Sequence, residues 1–191
     1  DNLAKVILNQ ALLQSALLAK EYGTYPAYTD DIFNSDFYKS TVDNETQGVI
    51  RAYGLRNSHV LSIAPTGSIS TMIGVSGGIE PLFATHSNRT TKSLHDTDVV
   101  YKIYPKVIKE FMEHTGLNDS EFPDYIKTAH QIHWQDRINV QATWQIYVDS
   151  AISSTINLPN ETTVEEIMEL YYNAWKSKLK GVTIYRDGCN R

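Results

Sequence analysis

The chain has 191 residues, of which 41% are hydrophobic and 20% charged, the balance of a folded globular protein rather than a disordered one. A formal charge of −5 lacks the basic excess that a general nucleic-acid binder needs to displace counterions from phosphates, so no nucleic-acid partner is expected. The one cysteine, Cys189, excludes an internal disulfide and a cysteine-rich zinc site and fits a reducing, cytoplasmic location, and no apolar run approaches the roughly 18–20 residues of a membrane span.

Residues 2–21 predict a helix, with Leu3, Val6, Ile7, Ala11, Leu13, Ala16, Leu17 and Leu18 as a wide apolar stripe. Lys5, Asn9 and Gln14 interrupt the stripe, which makes the segment amphipathic and a poor signal peptide. Gly23 supplies a stop, with Pro26 beyond it. The chain starts without Met, and the expectation is a piece of a longer polypeptide. Residues 24–46 are mixed polar and aromatic and predict short helices in a connecting segment. Val60 to Ala64, short and apolar between turn residues, predicts a buried strand.

Residues 65–84 hold Gly67, Gly74, Gly77, Gly78, Pro65 and Pro81 and predict a loop with a short helix starting near Ser68. Residues 98–115 predict a helix, broken or begun at Pro105 and stopped by Gly116. Residues 136–150 predict an amphipathic helix with Ile138, Ala142, Gln145 and Asp149 along one line. "AISSTINLP" predicts a strand that ends at Pro159. Thr162-Thr163 with Glu165-Glu166 reads as a capping box. The helix after it places Val164, Ile167, Met168, Tyr171, Ala174 and Trp175 on one face, and Gly181 ends it. "VTIY" gives a last strand. The order is α/β alternation, with fewer strands than a closed barrel or a doubly wound sheet needs.

The stretch "IAPTGSIS" concentrates chemistry. Proline ends the strand, glycine lets backbone approach a ligand without a Cβ in the way, and Thr66, Ser68 and Ser70 supply hydroxyls. A helix starting there presents N–H groups without internal partners, which suits phosphate oxygens. The same residues are also ordinary turn formers, and the stretch lacks the lysine of a Walker A motif and the glycine spacing of a dinucleotide fold. Both readings stand on these residues alone. Glu80, between Ile79 and Pro81, predicts a loop-bracing hydrogen bond, and Arg56 and Asn57 are expected to brace the same loop. His130 and His133 are three apart, with Asp136 as the nearby carboxylate. Packing or surface roles explain them more simply than a metal, and no metal site is expected. Cys189 has no adjacent histidine.

Three blocks together carry a resemblance. "GLRNSHVLSIAPTGSISTMIGVSGGIEPLF", then "SSTINLP", then "AWKSKLKGVTIYRDG" resemble the C-terminal part of the catalytic (large) subunit of ribonucleotide reductases, closest to the adenosylcobalamin-dependent class II type. The resemblance covers residues 54–188. It implies an α/β fold, the C-terminal portion of a ten-stranded α/β barrel made of two five-stranded halves, with residues 1–191 as a single partial domain. It implies that Thr66, Gly67, Ser68, Ile69 and Ser70 hold substrate phosphates and that Pro65, Gly78 and Glu80 support that loop.

The family's reaction replaces the ribose 2′-hydroxyl by hydrogen through a protein thiyl radical and a reducing cysteine pair. The radical fingerprint Asn-x-Cys-x-Glu is absent here, so no catalytic residue is expected in this stretch, and the catalytic thiols are expected upstream. The last strand carries Tyr185 alone where class I enzymes carry two adjacent tyrosines, which favours adenosylcobalamin as the implied cofactor. Tyr171-Tyr172 is expected to pack inside its helix. The implied partners are a ribonucleoside di- or triphosphate, the remainder of the catalytic chain, a thiol reductant such as thioredoxin, and further copies in a homo-oligomer. The rival readings are a catalytically silent phosphate-binding or structural module and a class I large chain.

Overall fold

The computed structural model describes residues 2–91 and 99–189. The chain divides into two compact units. The first gathers the chain up to Ile63, Ile138–Ile152 and Glu169–Val182; the second gathers Ala64–Arg137, Ser153–Met168 and the chain from Thr183 onward.

The first unit is built on α1 (Asn2–Tyr22), which contains no glycine or proline and ends where Gly23, at φ 79°, donates its N–H to the Ala19 carbonyl. Leu8, Leu12 and Ala16 recur every four residues and pack against Tyr38 and Val42 at α2 (Asp36–Thr41), Ile50 of α3 (Asn44–Tyr53), and Leu55. The buried face is therefore not the predicted stripe: Leu3, Val6 and Leu17 are exposed. Asn9 sits in the buried face because its amide is fully used. It donates to the Thr41 carbonyl at 3.0 Å and accepts from the Asp43 N–H at 2.8 Å, tying α1 to the α2–α3 corner. Asp43 caps α3 through the Thr46 N–H.

The strand predicted over Val60 to Ala64 is reduced to a single parallel bridge, Ile63 to Ile152. A carboxylate takes the place of a neighbouring strand: Asp149 accepts the N–H groups of Val60 at 2.7 Å and Leu61 at 3.0 Å. Asp149 is free to do so because α6 (Trp134–Gln145) stops earlier than the predicted 150. Gln145 ends it by donating to the Val148 and Ser150 carbonyls. Arg56 and Asn57 do not brace the glycine-rich loop. Arg56 donates to the carbonyls of Tyr22 and Gly23, and Asn57 pairs with Ser15.

The second unit carries α4 (Gly67–Ile73), a hairpin of β1 (Ser87–Thr91) and β2 (Val99–Ile103), and α5 (Lys106–Thr115). The predicted helix over 98–115 is thus two elements, and residue 98 lies outside the described residues. β-Branched Val99 and Val100 pair with β1 in antiparallel register. Pro105 keeps Tyr104 extended and starts α5, and Gly116 stops it at φ 74°. At the hairpin base Asp119 accepts from Lys102 at 2.7 Å and Tyr104 at 3.0 Å, with His86 at 3.6 Å.

β3 (Thr155–Leu158) and β4 (Thr183–Arg186) pair in parallel, with Ile156 opposite Ile184, and Ile156 and Leu158 buried. α7 (Val164–Lys176) crosses between them in sequence, opened by the Thr163–Glu166 capping box. It buries Leu170 and Ala174; Val164, Met168, Tyr171, Tyr172 and Trp175 are exposed, with Tyr172 against Trp175 at 5.8 Å between ring centroids. The described strands form two two-stranded sheets within a mixed α/β chain. Among the described residues no helix is long and apolar enough to cross a membrane.

Candidate functional site

The bend begins at Pro65. Thr66 takes the left-handed conformation, φ 50° and ψ 25°, a region that costs a non-glycine residue about 1–2 kcal/mol. It opens α4 without capping it, because its hydroxyl accepts instead from the Gly78 N–H at 2.9 Å. The first backbone bond of α4 runs from the Ser70 N–H to the Thr66 carbonyl. The N–H groups of Gly67, Ser68 and Ile69 lie ahead of it, and these three residues are exposed. A Cβ placed on Gly67 would meet nothing within 4 Å, so the backbone there faces open space.

The two remaining hydroxyls of the bend are divided. Ser68 is exposed, whereas Ser70 is buried and donates to the Gly67 carbonyl at 2.9 Å, as does Thr71. Ser68 therefore carries the exposed hydroxyl, Thr66 holds the Gly78 turn through its own, and Ser70 braces the bend from within.

The second glycine cluster lies directly behind the bend. A Cβ on Gly77 would come within 2.7 Å of the Pro65 carbonyl oxygen and 3.3 Å of the Ser70 hydroxyl. Only glycine permits this approach. Gly78 reaches Thr66, and Glu80 donates its N–H to the Gly77 carbonyl at 3.0 Å. The Glu80 carboxylate accepts the Thr155 N–H at 2.6 Å, at the start of β3. Arg137 reaches the same residue from α6: its guanidinium donates to the Thr155 carbonyl at 3.1 Å. Sequence reasoning missed Arg137, whose only signal is a cation next to Ile138 on the buried line of a helix. Beside α4 runs a groove of about 810 Å³ lined by Pro65, Gly67, Glu80, Phe83, Lys106 and Lys109 among others.

The other candidates fall apart from this bend. His130 lies 3.7 Å from Asp187 and edge-on to Phe83, while His133 accepts the Gln135 N–H at the start of α6. Among the described residues no three His, Cys, Asp or Glu side chains cluster as metal ligands. Cys189 is exposed after β4.

The bend and the Gly-Gly turn behind it sit in a mixed α/β chain. Residues 1–185 match the family model described as the ribonucleotide reductase barrel domain, and the chain belongs to that family. It is 32% identical over 203 residues to the vitamin B12-dependent ribonucleoside-diphosphate reductase of Mycobacterium tuberculosis, covering 97% of this chain and 27% of the relative. The protein of the same name from Thermoplasma acidophilum is 32% identical over 188 residues, covering 91% of this chain and 22% of the relative. The ribonucleoside-diphosphate reductase subunit alpha of Chlamydia pneumoniae is 27% identical over 218 residues, covering 94% of this chain and 21% of the relative.

Proposed function

We propose that this chain is the C-terminal segment of the catalytic barrel of a ribonucleotide reductase and that its bend from Pro65 to Ser70 holds the substrate's phosphates. The carrying observation is the exposed run of N–H groups at Gly67, Ser68 and Ile69, with open space over Gly67. Anionic oxygens suit such a run because each hydrogen bond to a charged group contributes about 1.5–3 kcal/mol. Thr66 and Ser68 add hydroxyl donors. The parent's substrate is a ribonucleoside di- or triphosphate, and the whole of residues 1–191 is read as one partial domain of the ten-stranded barrel.

The parent's chemistry is the exchange of the ribose 2′-hydroxyl for hydrogen, driven by a thiyl radical. The relatives' printed name supports a vitamin B12 cofactor, adenosylcobalamin, and Tyr185 standing alone in β4 agrees with that class. The one thiol, Cys189, is exposed and outside the radical fingerprint. No step is derived through it. The remaining chain supplies the thiols, a thiol reductant such as thioredoxin renews them, and the setting is cytoplasmic. This chain's share of catalysis is to orient the nucleotide by its phosphates so that its ribose faces the thiols.

Replacing Thr66 and Ser68 together by alanine in the complete enzyme should raise the KM for nucleotide about tenfold or more, at the scale of one or two lost charged hydrogen bonds. The melting temperature should change little by comparison. An unchanged KM removes the phosphate role.

A further inference from the structure

Arg137 is 94% buried by its 6% relative exposure, yet it carries a guanidinium. Burying a charge is costly unless it is paired and hydrogen-bonded. One arm donates to the Thr155 carbonyl at 3.1 Å and sits 3.4 Å from the Ser154 hydroxyl, while Nη1 has no protein acceptor among the described residues. Burial pushes the guanidinium's pKa down, and the Glu80 carboxylate pulls it back up. The two meet through one residue: Thr155 gives its N–H to Glu80 and its carbonyl to Arg137.

That arrangement has a direct route to the bend. Glu80 ends the turn that contains Gly77 and Gly78, with its own N–H on the Gly77 carbonyl. Gly78 supplies the hydrogen bond on the Thr66 hydroxyl, and Gly77 lies against the Pro65 carbonyl. Thr66 has no side-chain cap to α4 and sits in a conformation that costs energy on its own. Its geometry must be imposed from behind.

We propose that Arg137 and Glu80 are positioning residues: they fasten the Gly77–Gly78 turn to the start of β3, and the turn holds Thr66 so that the amides after it converge on a nucleotide's phosphates. Both act through Thr155 and the turn. The inference rests on the phosphate role given to the bend under the proposed function. A residue that only stabilises the fold would lower the melting temperature and leave ligand discrimination alone, whereas a positioning residue changes the preference for phosphorylated over unphosphorylated ligand.

The test uses the complete reductase chain carrying Glu80→Gln, Arg137→Lys or Arg137→Met. Each is assayed for the KM of a nucleoside 5′-diphosphate and for the inhibition constant of the matching unphosphorylated nucleoside. Glu80→Gln keeps an acceptor for Thr155 but removes the carboxylate's charge. It should raise the KM for the diphosphate about tenfold, a shift of roughly 1.4 kcal/mol, with the nucleoside's constant changed less than about twofold. Arg137→Met should do the same, and Arg137→Lys, which keeps the charge, should recover part of the loss. Should Arg137→Met fail to fold, Glu80→Gln and Arg137→Lys decide the matter. The proposal is overturned if both fold and keep the wild-type ratio of diphosphate to nucleoside, whatever happens to their melting temperatures. Ser68→Ala, which leaves the Gly78 bond to Thr66 in place, serves as the reference. If it alone shifts the ratio, only the positioning role fails; if it leaves the ratio unchanged too, the phosphate reading fails with it.

Discussion

Gly67 and Gly77 look alike in the sequence and are opposite in the structure. The fold does not need a glycine at Gly67, since a Cβ there meets nothing of the protein. It does need one at Gly77, because a Cβ would press to 2.7 Å on a backbone oxygen that cannot swing aside. Gly67→Ala should therefore leave stability unchanged or raise it by up to about 1 kcal/mol, through lower chain entropy and better helix propensity. In the complete enzyme it should still raise the KM for nucleotide. Gly77→Ala should lower stability by about 1–3 kcal/mol, the usual cost of overpacking. Thermal melts and nucleotide kinetics on the two variants check both. The sequence marked both glycines as loop residues, but which one packs against backbone depends on a fold-back between positions 65 and 77 that no local pattern contains. Ser70 shows the same limit: three hydroxyls in six residues read as equivalent donors, and folding turns one of them inward.

Among the elements, those with local causes were legible. Asn2–Tyr22 lacks breakers, and the Thr163–Glu166 capping box reads directly from residue types. Two segments depart from their predicted form for different reasons, one distant in sequence and one local. The Val60–Ala64 segment has a strand's composition, but the Asp149 carboxylate takes its N–H groups. Across 98–115 the helix does begin at Pro105, as one of the two readings had it, but Val99–Ile103 ahead of it pair as β2. The faces of α1 and α7 were misjudged because leucine and aromatic residues occur on both sides, and only packing partners decide which side is buried.

The β1–β2 hairpin offers a test at this scale. Hydrogen bonds from Lys102, and then Tyr104, hold the Asp119 carboxyl below its usual 3.8. A depressed carboxyl stabilises the folded form above its unfolded value, and that contribution is lost as pH falls through the folded value. Hydrogen exchange of β2 should therefore speed up relative to α5 on going from neutral pH to below about pH 4, once the intrinsic rate is corrected. In Asp119→Asn that pH-dependent difference should disappear. A hairpin whose relative protection is the same across this range would rule the clasp out.

At the scale of the whole molecule, the chain spans 21% to 27% of the relatives' lengths and leaves large apolar side chains exposed. Met72 of α4 is 86% exposed and Trp175 of α7 73%. Exposed apolar patches of this kind favour association. The 191 residues produced alone should bind a hydrophobic dye and run above monomer mass in size-exclusion chromatography. A monodisperse monomer without dye binding would contradict that expectation. The family was legible here because three separated blocks keep their order; the α/β class followed from alternation. The architecture of two units was not legible, since it joins segments far apart in sequence, such as Thr155 with Glu80 and Arg137.

The proposed role of the bend requires a nucleotide's phosphates to rest on it. The most direct measurement is a crystal structure of the complete enzyme with a bound ribonucleoside diphosphate. It should place phosphate oxygens about 2.7–3.2 Å from the amide nitrogens of Gly67, Ser68 and Ile69. Phosphates held by another part of the chain, with this bend empty or filled by the protein's own side chains, would contradict it.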